Sequence, residues 1–378
     1  MMKRNIICVL LALLLLLSAC AKTPVEPAPT PDPPQEPTLP SNLIGISMPT
    51  EDLWFWTHDG NDMKTLLEDA DYEVDLQYAA NDTATQISQI ENMIKNNARL
   101  LIIAAIDVEA LGTVLELAKE ENIPVISYYH LITGSDAVSY YVTFDYFTAG
   151  VLQGQYIVDQ LDLEHAEGKS YNIEFIAGDP DDSRPTPGYI FNGAMRVLQK
   201  YLDDGTLVCL SGQTDSMDIA TKDWAPEKAQ ERFEYILSTY YADKPLHAVW
   251  AINDSTAQGV ATALAGCYDN EIYPIITGQD CDIISIKNML DGKQAMSIFM
   301  DTHDMAAKAA EMADAIMKGN APSINDTSTY NNAGCNEPAH FVPSYLCAPK
   351  VYTAANCEEL LIGKGGYYGV SENEGTSE

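Results

Sequence analysis

Side chains suited to stacking and hydrogen bonding gather where apolar runs of this sequence give way to loops. Trp54-Phe55-Trp56 follow the apolar run Asn42–Met48, and Tyr129-His130 follow Pro124–Tyr128. Three neighbouring aromatics in a loop are costly if left exposed, so they either pack the loop or hold a ligand. Asp181, Asp182 and Arg184 follow another apolar run, Asn253-Asp254 end HAVWAIN, and Gln279-Asp280 end PIITG. Aromatic faces with Asp, Asn and Arg hold a molecule that has an apolar face and hydroxyls. Simpler roles are open for several of them. Asn253, Asp254 and Asp145 each precede a helical pattern and are equally suited to cap it, and Asp181-Asp182 fit a solvated turn. As a catalytic pair those two acids fail, because adjacent residues rarely flank one glycosidic bond. The sequence has no G-x-S-x-G, no H-E-x-x-H and no P-loop. Its six histidines show no metal spacing, and no metal or cofactor is expected.

The elements that position these residues alternate in type. Strands are expected at Asn42–Met48, Glu73–Tyr78, Arg99–Ala105, Pro124–Tyr128 and Val138–Phe144, with helices at Asp59–Ala70, Thr83–Asn97 and from a cap at Asp107 through Glu121. The run RLLIIAA is apolar throughout, as in a strand covered on both faces. The pattern then restarts. Strands are read at Tyr171–Ala177, Thr206–Leu210, Leu246–Ile252 and Pro274–Gly278. Helices are read at Phe147–Leu161, Gly188–Leu202, Pro226–Tyr241 and Asp254–Cys267. Pro226 suits the first helical position. Beyond residue 280 come a helix (Ile283–Leu290), a strand (Ala295–Phe299), a helix (His303–Met317) and a stretch of loop and short strands. Alternating strands and helices imply right-handed crossovers and covered parallel sheets. The fold class is therefore α/β, with two doubly wound parallel-sheet lobes. Ligands of such sheets sit at the C-terminal ends of the strands, where the aromatic and polar pairs lie.

The 378-residue chain opens with a basic start (Lys3, Arg4), an apolar run Ile6–Leu17 and Leu17-Ser18-Ala19-Cys20. The run is too short for an ordinary membrane span and reads as a signal. Prolines 24, 27, 29, 31, 33, 34, 37 and 40 follow, a composition that favours extended polyproline II and forms no core. The formal net charge is −34, and removing Lys3 and Arg4 with a signal brings it to −36. That balance argues against nucleic acid and anionic lipid as partners. Of eight cysteines, six lie beyond Cys8 and Cys20: Cys209, Cys267, Cys281, Cys335, Cys347 and Cys357. Export permits disulfides, and the crowding of Cys335, Cys347 and Cys357 suggests one bridge there.

The start of the chain resembles a bacterial lipoprotein signal, cut before a lipidated Cys20. GISMPT (45–50), DLQYAANDTATQISQIENMI (75–94), LIIAAID (101–107), VSYYVTFD (138–145), GDPDD (178–182), TGQD (277–280) and VPSYL (342–346), in that order, resemble the periplasmic-type monosaccharide-binding proteins of ABC importers. The resemblance is to the ribose/galactose-binding group, in its multiple-monosaccharide-binding branch. Behind the signal (1–19) and the tether (20–41), it implies two lobes joined by a three-segment hinge of periplasmic binding protein type I. Lobe one would hold 42–145 plus 280–325, lobe two 146–279 plus 326–368, with an acidic tail at 369–378. It implies no catalysis, a sugar held between the lobes, and a permease with its ATPase as partners. An aromatic platform is implied at Trp54 or Phe55, with Trp56 under the following helix. Trp224 would stack on the other sugar face, Asp181, Asp182 and Arg184 would grip hydroxyls, and Asn253, Asp254, Gln279 and Asp280 would supply polar contacts. Asp145, at the first crossing, is a further candidate.

Tyr129-His130 departs from the Asp-Arg pair that many such proteins carry at this strand end, a pair that clasps hydroxyls bidentately. Tyr and His still donate and accept hydrogen bonds, with less charge. Two other roles remain open: a sugar-sensing receptor for a chemotaxis or kinase partner, and a binding protein for a non-sugar polar solute.

Overall fold

The computed structural model describes residues 41–182, 186–333 and 339–360. The signal, Cys20, the tether up to Pro40, Arg184, Cys335 and the acidic tail lie outside the described residues. Among those described, no helix is long and apolar enough to cross a membrane.

The first sheet is built from β1 (Leu43–Met48), β2 (Glu73–Tyr78), β3 (Leu100–Ile103), β4 (Val125–Tyr128) and β5 (Val138–Phe144). Its order is β11-β5-β4-β3-β1-β2, where β11 is Ser344–Cys347. Every pairing is parallel, with Ile44 opposite Leu100, Leu101 opposite Val125 and Ser344 opposite Tyr141. All four residues of β3 are buried, as a strand covered on both faces must be. Helices α1 (Trp54–Asp69), α2 (Thr83–Lys95) and α3 (Gly112–Glu120) form the crossovers. The Asp82 carboxylate caps α2 by accepting from the Thr85 amide at 2.6 Å. Asp107 does not cap α3. It turns the chain earlier, accepting from the Glu109 amide at 2.9 Å, and the helix starts after Leu111.

The second sheet has the order β7-β6-β8-β9, from β6 (Tyr171–Ile176), β7 (Leu207–Val208), β8 (Ala248–Ala251) and β9 (Ile275–Ile276), again parallel. Strand β10 (Ser297–Phe299) runs beside the end of β9, through a parallel bridge between Gln279 and Ile298 and the bond from Ile298 N to Gly278 O. Strand β12 (Lys350–Tyr352) then pairs antiparallel with β10. The helices are α4 (Tyr146–Gln160), α5 (Thr186–Asp203), α6 (Pro226–Tyr240), α7 (Asp254–Cys267) and α8 (Ile283–Leu290); α9 (Thr302–Met317) packs on α1. Pro226 stands in the first turn of α6 as the sequence predicts.

These pairings redraw the lobe boundaries. Residues 280–300 belong with the second sheet, because β10 extends it, and the chain returns to the first only at α9. The stretch 326–368 is divided: β11 closes the edge of the first sheet and β12 joins the second. The three passages between sheets thus lie at 144–146, 299–302 and 347–350. A hydrophobic pattern says that a strand exists, but not which of two sheets has an open edge for it.

Cys209, Cys267, Cys347 and Cys357 are free thiols. Cys347 packs in the main core of the first sheet, whereas Cys357 sits with Cys281 in a separate cluster. Their crowding in sequence is therefore not crowding in space.

Candidate functional site

Two adjoining cavities open between the sheets, of about 210 Å³ and 390 Å³. Tyr129, Tyr146, Gln279 and Asp280 line both, so the two form one cleft. The smaller adds His130, Thr186, Pro187, Ile190, Trp224, Ile252 and Asn253. The larger adds Trp54 and Phe55 with Phe299, Met300 and Thr302.

The wall from the first sheet is aromatic. Helix α1 starts at Trp54, so the three aromatics form its first turn rather than a loop. A helix spreads neighbours over different faces, and each ring meets a different fate. Trp54 is 49% exposed, Phe55 is half-buried in the cleft wall, and Trp56 is 4% exposed in the core of its own helix. Tyr129 lies at the centre, with ring centroids 6.0 Å from Phe55, 5.4 Å from Trp56, 4.8 Å from His130 and 6.4 Å from Phe144. Its backbone is left-handed at φ 63°, a conformation that costs a tyrosine free energy. Two hydroxyls hold it there: Tyr141 Oη and Thr143 Oγ1 donate to the Tyr129 carbonyl at 2.7 and 3.2 Å. The His130 ring rests with Nδ1 3.3 Å from the Ala105 carbonyl. Beneath this wall Tyr128 Oη donates to the buried Asp59 at 2.8 Å, and burial pushes the Asp59 carboxyl up to about 6.

The facing wall holds Trp224, which has φ 56° after Asp223 at φ 59°. Asp179 organises this turn. Its carboxylate accepts from the Asp181 amide and from the Asp223 amide, each at 2.9 Å, tying together two loops far apart in sequence. The Trp224 ring then lies against Gly178, where a Cβ would stand 2.0 Å from two ring carbons. Only glycine admits the ring so close.

The polar floor comes from the ends of β8 and β9. Asn253 lines the cleft and also caps α7, its Oδ1 accepting from the Thr256 amide at 3.1 Å. Capping the helix thus leaves it on the cleft wall. Gln279 is 7% exposed, and its Oε1 has no hydrogen-bond partner among the described residues. Asp280 is exposed at φ 102°, a strained backbone of the kind that gathers at functional sites. Gln153 of α4 fixes this floor from behind, donating to the carbonyls of Ile252 and Gly278 at 3.1 and 3.0 Å. Helices α4 and α5 touch almost backbone to backbone, since a Cβ on Gly150 would stand 1.9 Å from the Ile190 carbonyl oxygen. Tyr146 and Ile190, from the two helices so joined, both line the smaller cavity.

Other sequence candidates lie elsewhere. Asp254 is 1% exposed and outside the cavity linings: its carboxylate accepts from Gln294 Nε2, Ser297 Oγ and the Asp282 amide at 2.8, 2.8 and 2.9 Å. Burial, aided by nearby Asp280, raises its pKa well above the ordinary carboxylate value. It braces the Gln279–Asp282 turn rather than facing a ligand. Asp145 caps α4, accepting from Thr148 N at 2.9 Å and Thr148 Oγ1 at 2.6 Å, and lines a different cavity with Tyr189 and Tyr330. Asp181 and Asp182 sit in the Asp179 turn and line neither of these two cavities. Sequence reading missed Tyr146, Thr186, Ile190, Ile252, Met300 and Thr302. Tyr146 and Met300 adjoin passages between the sheets, which is the signal that would have found them.

The chain matches the periplasmic binding protein domain family over residues 44–321. It is 41% identical over 328 residues to the multiple sugar-binding periplasmic receptor ChvE of Rhizobium radiobacter, spanning 86% of this chain and 90% of that protein. It resembles the ABC transporter solute-binding protein from Clostridium phytofermentans with bound β-D-glucose, at 51% identity and TM-score 0.69, covering 86% of this chain and 98% of that one. A carbohydrate transporter solute-binding protein from Chloroflexus aurantiacus, in complex with D-glucose, is similar at 29% identity and TM-score 0.65, over 87% of this chain and 98% of that one. The chain belongs to the periplasmic binding protein family, alongside the multiple-sugar-binding receptors.

Proposed function

We propose that this protein captures a monosaccharide, of the glucose type, in the cleft between its two sheets and delivers it to an ABC permease driven by a separate ATPase. One observation carries the reading: aromatic rings come from both walls of one small cleft, Tyr129 and Phe55 on one side and Trp224 on the other, with Asn253, Gln279 and Asp280 between. A pyranose offers apolar C–H faces to such rings and equatorial hydroxyls to such a floor. Contact with both lobes makes the sugar stabilise the closed form, and closure alters the outer surface that a permease meets. Similarity to glucose-bound solute-binding proteins supports the choice of sugar. The reading includes no catalysis. Asp181 and Asp182 line neither of the two cavities, and Arg184 lies outside the described residues.

Calorimetry with D-glucose, D-galactose, D-xylose, D-ribose and myo-inositol tests the reading. Heat from D-glucose at one site per chain is expected; silence across the panel sinks it. We also propose that the chain is extracytoplasmic and held to the membrane by lipid on Cys20, on the strength of the Leu17–Cys20 pattern and the Pro-rich stretch behind it. Replacing Cys20 by serine then releases the protein from the membrane fraction, and retention there refutes the anchor.

A further inference from the structure

On the rim of the cleft, His58 and Asp62 stand one turn apart on α1, and His303 in the first turn of α9 closes on them. The i, i+4 spacing of His58 and Asp62 puts them on one helix face, and packing of α9 on α1 supplies the third group. The sequence gives no sign of this, because His303 is some 240 residues away. One ligand atom from each of the three lies within 4.8 Å of the others. Asp62 Oδ2 is 2.6 Å from His303 Nδ1 and 3.2 Å from His58 Nδ1. The approach to His58 lacks hydrogen-bond geometry, and His58 Nδ1 is shielded from solvent with no hydrogen-bond partner among the described residues. Two imidazoles therefore present the same nitrogen to a single carboxylate oxygen.

We propose that His58, Asp62 and His303 form a binding site for a divalent transition metal of the zinc class. Zinc bonds of about 2.0–2.1 Å in tetrahedral geometry place donor atoms roughly 3.3 Å apart. The observed 2.6 and 3.2 Å need to widen by less than about 1 Å, within reach of rotamer adjustment at side chains about a third exposed. Two imidazoles and one carboxylate suit zinc and its first-row neighbours, and disfavour calcium and magnesium, which take oxygen ligands. Three protein ligands leave a fourth position for water. The site also touches the cleft: the Trp54 ring lies 4.7 Å from the His58 ring, and Thr302, next to His303, lines the larger cavity. A bound ion thus ties the starts of α1 and α9 together beneath the exposed indole. This inference stands apart from the sugar reading.

The test is titration of the untagged, chelator-stripped mature protein with Zn²⁺ by calorimetry and with Co²⁺ by visible absorption. One Zn²⁺ per chain is expected, with Co²⁺ d–d bands typical of nitrogen–oxygen ligation. His58→Ala and His303→Ala each lower Zn²⁺ affinity by more than the roughly 10–100-fold that loss of an outer-shell partner costs. Both variants keep the wild-type circular-dichroism spectrum and a cooperative melt in the metal-free state, which shows that they are folded. Absence of both signals in the wild type overturns the proposal, as does wild-type Zn²⁺ binding by the His58→Ala/His303→Ala double variant.

Discussion

Gly178→Ala offers a test of the Trp224 platform that removes no cleft side chain. The added methyl would stand 2.0 Å from two carbons of the indole and 2.4 Å from a third. Carbon atoms rest at about 3.5–4.0 Å, so the ring must lift by roughly 1.5 Å. Its neighbours Asp223 and Trp224 are already in left-handed backbone and belong to a surface turn, so the turn yields before β6 does. A displaced ring loses a stacking contact of about 0.5–1.5 kcal/mol. At about 1.4 kcal/mol per tenfold, D-glucose affinity falls by roughly 2–12-fold. Calorimetry on the single variants Gly178→Ala and Trp224→Ala and on the double variant completes the cycle. If the methyl acts only through the ring, the double variant binds within about 0.5 kcal/mol of Trp224→Ala alone. Fully additive losses, or unchanged affinity in Gly178→Ala, refute the reasoning.

Asp280→Ala removes a cleft acceptor and weakens sugar binding by about 1–3 kcal/mol; wild-type affinity in a folded variant removes Asp280 from the site. Gln153→Ala strips donors from two buried carbonyls, those of Ile252 and Gly278. Urea denaturation should show a loss of about 2–5 kcal/mol from two unsatisfied acceptors and the vacated volume, and a loss under about 0.5 kcal/mol would contradict it. His247 Nδ1 accepts from the Asn172 amide at 2.9 Å, and burial lowers its pKa below 6.5. The folded state thus binds fewer protons than the unfolded chain, so this stabilisation is whole above pH 6.5 and is lost as pH falls through and below that value. The melting temperature of His247→Gln should drop less between pH 7 and 5 than that of the wild type, and parallel profiles would contradict the assignment.

Much of the fold was legible in the sequence because periodicity and strand length carry it. β3 is apolar throughout because it is covered on both faces, and Pro226 opens α6 where its missing amide costs nothing. What failed were choices between partners. Residues 297–299 fall in an expected strand and 344–347 in a stretch read only as loop and short strands, and only their registers with residues 350–352 and 141–144 assign them to sheets. In the site, strand-end polar pairs were good guides to place and poor guides to role. Asn253 reaches the cleft while its neighbour Asp254 is turned into a buried brace, a difference of one residue that depends on Gln294 and Ser297 arriving from elsewhere. His58 and Asp62 likewise meet His303 only through the packing of α9, a juxtaposition that spacing along the chain does not carry.

The edge of the first sheet has a consequence for the order of folding. Strand β5 pairs with β4 on one side, and its outer edge stays open until β11 arrives, with Tyr141 opposite Ser344, some 200 residues later. A chain emerging from its N-terminus therefore carries an open sheet edge until nearly all of it has appeared. Long-range pairing of this kind is slow to form and leaves edges open to other chains meanwhile. The lobe that begins the sequence is thus among the last parts to be completed, and truncation near residue 340 should leave its β5 edge bare while sparing every other strand of that sheet.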